Sequence, residues 1–112
     1  MKLPLKLSLE EIQRSLLDLP QWKLKISPEI AIHREWKGRN FQQTFSVMTQ
    51  IAMIAERLNH HPDWSNSYAQ LQIALRTHDV DGLSALDFEM ARRIEAVLQG
   101  ESVKVGHSQN AE

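Results

Sequence analysis

The sequence predicts a two-layer α+β fold: a four-stranded antiparallel sheet with helices packed on one face, in the order α-β-β-α-β-β-α. Three observations carry that expectation. Three segments have helical periodicity, each with its own start signal. Two apolar segments flank Ser27-Pro28-Glu29 as the arms of a hairpin should. Leu71, Ile73 and Leu75 alternate with Gln72, Ala74 and Arg76 at the strand period of two.

The first helix opens at Ser8, with Glu11 three residues on as a capping box and Leu7 and Ile12 at the staple positions. Ile12, Leu16 and Leu19 follow helical spacing until Pro20 stops the run. Residues 22–26 and 30–36 are the hairpin strands, in which Ile30, Ile32 and Arg34 alternate imperfectly with Ala31, His33 and Glu35. Asn40 and Gln43 start a longer helix that ends near His60. Residues 64–68 form a weaker strand and 71–77 a stronger one. Ser84 and Asp87 open the third helix, with Leu83 and Phe88 as its staple. That helix is expected to end at Gly100, a residue suited to the left-handed position past a helix end. Residues 1–100 then form one domain, and the polar residues 101–112, which include His107, a frayed or disordered tail.

The second helix carries two neighbouring apolar stripes. Phe41, Phe45, Met48, Ala52 and Ala55 make one; Val47, Ile51, Ile54 and Leu58 make the other. Together they span about half the circumference, wider than the roughly 100° needed to cover one core. Either the helix is sunk deep in its own domain or part of this face meets another subunit.

Bulk properties exclude several functions. With 112 residues the chain suits a single domain, and its apolar (42%) and charged (24%) shares are those of a globular protein. Basic residues number 13 against 14 acidic, without a basic run, so a nucleic-acid partner is not expected. Without cysteine there is no disulfide, thiol nucleophile or cysteine zinc site. The opening MKLPLKLSLEE lacks the apolar run of a signal peptide, and no stretch nears the ~20 apolar residues of a membrane helix. A cytoplasmic protein is the expectation.

Chemistry concentrates in two stretches. Residues 55–64 read AERLNHHPDW. Glu56 and His60 are four apart, so they are expected to share a helical face. Pro62 cannot extend the helix and pushes His61 toward an extended backbone, which aims the two histidines separately. Taken alone, this stretch also reads as a polar helix terminus. Residues 76–87 read RTHDVDGLSALD, with His78 at a strand end before an Asp81-Gly82 turn. Strand ends are favoured places for catalytic groups, although a lone histidine there also reads as a solvated one. Asp87 has a capping role available, and Trp64 a packing role. Adjacent histidines lack the i, i+3 or i+4 spacing of helical metal ligands, so no metal is expected.

Joined, the two stretches closely resemble the pterin-4a-carbinolamine dehydratase family over about residues 20 to 98. The shared pattern is E-x-x-N-H-H-P-x-W, then T-H-D-x-x-G-L-S-x-x-D. It places Glu56, Asn59, His60, His61, Pro62 and Trp64 in the first half. Thr77, His78, Asp79, Gly82, Leu83, Ser84 and Asp87 make the second. Asp81 stands where many members have a small residue, and Asn59 where others carry Asp. The resemblance implies a hydro-lyase that removes water from 4a-hydroxytetrahydropterin to give quinonoid dihydropterin, in tetrahydropterin recycling beside an aromatic amino-acid hydroxylase. It implies His60 and His78 as acid/base groups and His61 chiefly as a substrate contact. Glu56 would orient or charge-tune His60, and Trp64 would shape the pocket. Asn59, Pro62, Thr77, Asp79 and Asp87 would support or bind substrate. No metal or organic cofactor is implied, and a homo-dimer or homo-tetramer is. The alternative is a non-catalytic binding module, since relatives include dimerisation partners of a homeodomain transcription factor and Rubisco-assembly-like proteins. A scaffold has no reason to keep three histidines together with Glu56. A zinc hydrolase is the third reading.

Overall fold

The computed structural model describes residues 4–111, with side chains as far as Glu101. The elements are α1 (Leu9–Leu16), β1 (Lys23–Lys25), β2 (Ala31–Lys37), α2 (Phe41–Leu58), β3 (Asp63–Ser67), β4 (Gln70–Leu75) and α3 (Ala85–Ala111), with a 3-10 turn at His78–Val80 before the last helix. All strand pairs are antiparallel, and the sheet order is β1-β2-β4-β3. The predicted α+β order and its four-stranded antiparallel sheet are therefore observed, with the 3-10 turn as an addition.

Local chemistry explains the helix starts. At α1, Ser8 Oγ accepts from Glu11 N (3.1 Å) and Glu11 Oε1 accepts from Ser8 N (2.8 Å), while Leu7 and Ile12 pack inward. At α2, Asn40 Oδ1 accepts from Gln43 N at 2.8 Å, and Thr44 Oγ1 donates to Ala69 O at 2.9 Å, tying the helix to the β3–β4 turn. Gly38 is required beside this contact, because a Cβ there would collide with Thr44 Oγ1.

The core lies between the sheet and the helices. Leu71, Ile73 and Leu75 are buried, as their alternation predicts, and meet Val47 and Ile51 of α2 and Ile94 of α3 in one cluster. Each such side chain contributes about 2 kcal/mol by leaving water. The opposite sheet face is polar. There burial, aided by the charge of Lys25, holds the His33 imidazole below its ordinary value.

The Phe41 stripe of α2 divides in the structure: Ala55 is buried and Met48 packs against the core, but its first turns face outward. Val47, Ile51 and Ile54 are buried, whereas Phe41 and Phe45 are about half exposed, at 47% and 55%, and stack on each other with ring centroids 5.6 Å apart. Three expected boundaries change. α1 ends at Leu16, before Leu19 and Pro20 are reached. α3 runs through Gly100, which does not take a positive φ; a glycine ends a helix only when it adopts that conformation. β4 stops at Leu75, because Thr77 leaves the ladder to bridge Gly82. The His107 side chain and Glu112 lie outside the described residues. Among the described residues no helix is long and apolar enough to cross a membrane.

One buried charge cluster braces the far end of the sheet. The Arg34 fork meets Glu95 at 2.9 and 3.1 Å, and Trp22 Nε1 donates to the same carboxylate at 2.8 Å. Burial pushes the Glu95 carboxyl up, but hydrogen bonds from Arg34, Gln99 and Trp22, with the Arg34 charge, outweigh it and hold it below the ordinary value. A lowered carboxyl pKa gives stability that is full above the unfolded value of about 4.3 and is lost as pH falls through the folded value. Glu95→Gln is therefore expected to be less stable than wild type near neutrality and to lose less stability on acidification. Urea melts at stepped pH check this; parallel acid slopes for the two proteins would refute it.

Candidate active site

Three element ends converge on one cavity. The first is the C-terminus of α2. Asn59 takes the left-handed conformation (φ 49°, ψ 46°), which Asn tolerates better than most residues. His60 N then donates to Ala55 O at 3.0 Å and Asn59 N to Glu56 O at 3.3 Å, the paired bonds of a Schellman ending. His60 is thereby taken off the helix, and Pro62 carries the chain into β3. The second is the end of β4, where Thr77 N donates to Gly82 O at 2.8 Å and closes a loop that holds His78. The third is the start of α3.

His60 and Asp87 join the first and third. His60 Nε2 lies 2.6 Å from Asp87 Oδ1, with the His60 side chain 10% exposed and the Asp87 side chain wholly buried. Asp87 Oδ2 accepts from Ser84 N (2.9 Å) and Thr77 Oγ1 (2.7 Å), so the residue that caps α3 also grips the histidine. The shortness of the His60 contact and the carboxylate's lack of a donor put the shared proton on Nε2. His60 Nδ1 makes no hydrogen bond with the described residues. His61 and Glu56 form a second pair at 2.6 Å, but in the open, with side chains 57% and 75% exposed. His78 Nδ1 lies 3.0 Å from Arg76 Nη1.

The cavity bordered by these groups has a volume of about 590 Å³ and is lined by His60, His61 and His78, with Asn59, Pro62, Thr77 and Asp79 beside them. Seven of the ten residues singled out from the sequence therefore share one wall. The other three do not line it. Asp87 lies behind His60. Glu56 holds His61, so the expected Glu56–His60 pair is not formed; the left-handed turn at Asn59 breaks the helical register that would have stacked them. Trp64 packs against the core, because strand alternation gives the cavity side to Asp63. Arg76, Pro4 and Leu86 line the cavity without having been expected there. In the sequence, strand parity sets Arg76 with His78 and away from Leu71, Ile73 and Leu75, and nothing more. Among the described residues no group of three or more histidine and acidic side chains is placed to hold a metal ion together.

Fold and site together define a small α+β protein with a histidine-walled cavity, one imidazole of which is backed by a buried carboxylate. The comparisons with known proteins agree on the family. Residues 5–97 match the model described as pterin 4 alpha carbinolamine dehydratase. A protein of Prochlorococcus marinus called "Putative pterin-4-alpha-carbinolamine dehydratase" is 42% identical over 94 residues, covering 84% of this chain and 95% of its own. One of Christiangramia forsetii with the same designation is 43% identical, covering 84% and 94%. A crystal structure described as a transcriptional coactivator/pterin dehydratase from Brucella melitensis superposes with a TM-score of 0.80 at 36% identity, covering 84% of this chain and 99% of that one. The chain belongs to the pterin-4a-carbinolamine dehydratase family.

Proposed function

We propose that the protein dehydrates 4a-hydroxytetrahydropterin to quinonoid dihydropterin and water by histidine acid/base catalysis. The observation that carries this is the buried Asp87–His60 pair facing a cavity shared with His61 and His78. The reaction needs one proton delivered to the departing 4a-hydroxyl and one removed from the adjacent ring nitrogen N5. With Nε2–H held by Asp87, His60 offers the Nδ1 lone pair, which suits it to take the N5 proton. His78 is the donor to the leaving oxygen. Each transfer is worth about 10²–10⁴-fold in rate. His61, open and tethered by Glu56, contacts substrate, with Asn59, Pro62, Thr77 and Asp79 shaping the wall. Such a substrate arises where an aromatic amino-acid hydroxylase has acted, which places the reaction in tetrahydropterin recycling, in the cytoplasm.

Purified protein is expected to accelerate decay of 4a-hydroxytetrahydropterin over its spontaneous rate, and dialysis against a strong chelator is expected to leave that rate unchanged. Decay no faster than buffer would remove the enzyme reading in favour of a binding module. Loss of activity with removal of stoichiometric metal would favour the zinc reading.

The exposed Phe41–Phe45 stack supports self-association through α2, and the edge strands β1 and β3 offer a second contact. Light scattering is expected to give a dimer or tetramer of the 12.9 kDa chain. Phe41→Glu with Phe45→Glu should lower that mass. A wild-type mass of a single chain at micromolar concentration would refute the assembly.

A further inference from the structure

Arg76 is a cation in an unusual place. Its side chain is 6% exposed, at the cavity wall, with a histidine as neighbour. A buried guanidinium is costly unless its donors are used and its charge is met. Here Nε donates to Ile30 O at 3.2 Å, Nη2 meets Asp81 Oδ1 at 2.6 Å, and Glu29 approaches Nη1 at 3.5 Å. The arginine is therefore clamped between the β1–β2 hairpin and the loop after β4. Asp81 reaches it because it adopts the left-handed conformation (φ 48°) that turns the chain back to Gly82.

The remaining contact has a chemical consequence. Arg76 Nη1 lies 3.0 Å from His78 Nδ1. A guanidinium has five donors and no acceptor, so Nδ1 must supply a lone pair. In a neutral ring the proton then sits on Nε2. We infer that Arg76, braced by Asp81, is a positioning residue that fixes His78 in the Nε2–H tautomer and so presents a donor at the cavity. His60 is held in the complementary sense, since Asp87 takes its Nε2–H and leaves Nδ1 as an acceptor. One histidine is thus set to receive a proton and the other to offer a hydrogen bond, by two partners of opposite charge. The catalytic consequence rests on the dehydratase reading; the tautomer does not.

The test is nitrogen-15 NMR of histidine-labelled protein at about pH 8, where an ordinary imidazole is neutral, with His78→Gln to assign the ring. Wild-type His78 is expected to show a protonated Nε2 and an unprotonated Nδ1. Arg76→Leu should give mixed tautomers and lower kcat about tenfold, a fraction of what a whole proton transfer is worth, with a smaller change in KM. Arg76→Lys, which also only donates, should restore the wild-type signals. Wild-type His78 carrying its proton on Nδ1, or signals indifferent to Arg76→Leu, would overturn the inference. Should Arg76→Leu fail to fold, Asp81→Ala carries the test, because Asp81 is 90% exposed; unchanged His78 signals there would overturn the bracing. A tautomer that follows Arg76 in a protein without turnover would sink the functional reading and leave this one standing.

Discussion

Replacing His60 or His78 by alanine is expected to lower kcat by about 10- to 10³-fold while the fold survives, because each change removes a group whose interaction strengthens only as a proton moves. The two losses differ in kind. His60 has a 10% exposed side chain and is bonded to Asp87, so its removal also leaves a buried carboxylate oxygen short of a partner and should cost about 1–3 kcal/mol of stability. His78 is exposed, and its variant should melt close to wild type. His61→Ala should raise KM more than it lowers kcat. Glu56→Ala should resemble a weaker His61→Ala, because Glu56 meets His61 and not His60. Steady-state kinetics with circular dichroism on the four variants would decide this. Wild-type kcat in both His60→Ala and His78→Ala, with only KM altered, would make these residues binders and not proton carriers.

The legible and illegible parts of the site divide along local and non-local interactions. The capping signals at Ser8 and Asn40 are written in residues three apart, and the structure forms both. The Leu71/Ile73/Leu75 alternation likewise reports burial directly. What could not be read was which carboxylate each histidine would meet. Sequence spacing favoured Glu56 with His60, since four residues make a helical turn. One left-handed residue, Asn59, ends that turn and hands His60 to Asp87, 27 positions away. Asp87 was visible as a helix cap, and it is one: a single oxygen, Oδ2, serves the cap, leaving Oδ1 for the histidine. Arg76 escaped for a related reason. A strand-end arginine of ordinary composition becomes a buried cation only when the hairpin and the Asp81 turn close around it.

Asp87→Asn should be the most informative single change, because it keeps the shape and alters one proton. Oδ2 receives the backbone N–H of Ser84 at 2.9 Å and the Thr77 hydroxyl at 2.7 Å. The backbone donor cannot be reversed, so the carbamoyl oxygen of Asn must occupy that side. Its NH₂ then faces His60 Nε2 where a carboxylate oxygen stood. Two donors cannot meet in a buried contact at any tolerable cost. His60 must therefore take the opposite tautomer, with its proton on Nδ1 and its lone pair turned toward Asn. The group that offered a lone pair to the substrate's N5–H would offer a proton instead. A fall in kcat of about 10²- to 10⁴-fold is expected, the worth of one proton transfer. KM should change little, and the melting temperature should stay near wild type, since both capping bonds persist. Asp87→Ala is the contrast: it strands the buried Ser84 N–H, while the Thr77 hydroxyl keeps Ser84 Oγ at 2.7 Å, so stability should fall by about 1–3 kcal/mol. If Asp87→Asn kept kcat within about twofold of wild type, a difference under 0.5 kcal/mol in barrier, His60 would not be the proton acceptor, and Asp87 would be a helix cap alone.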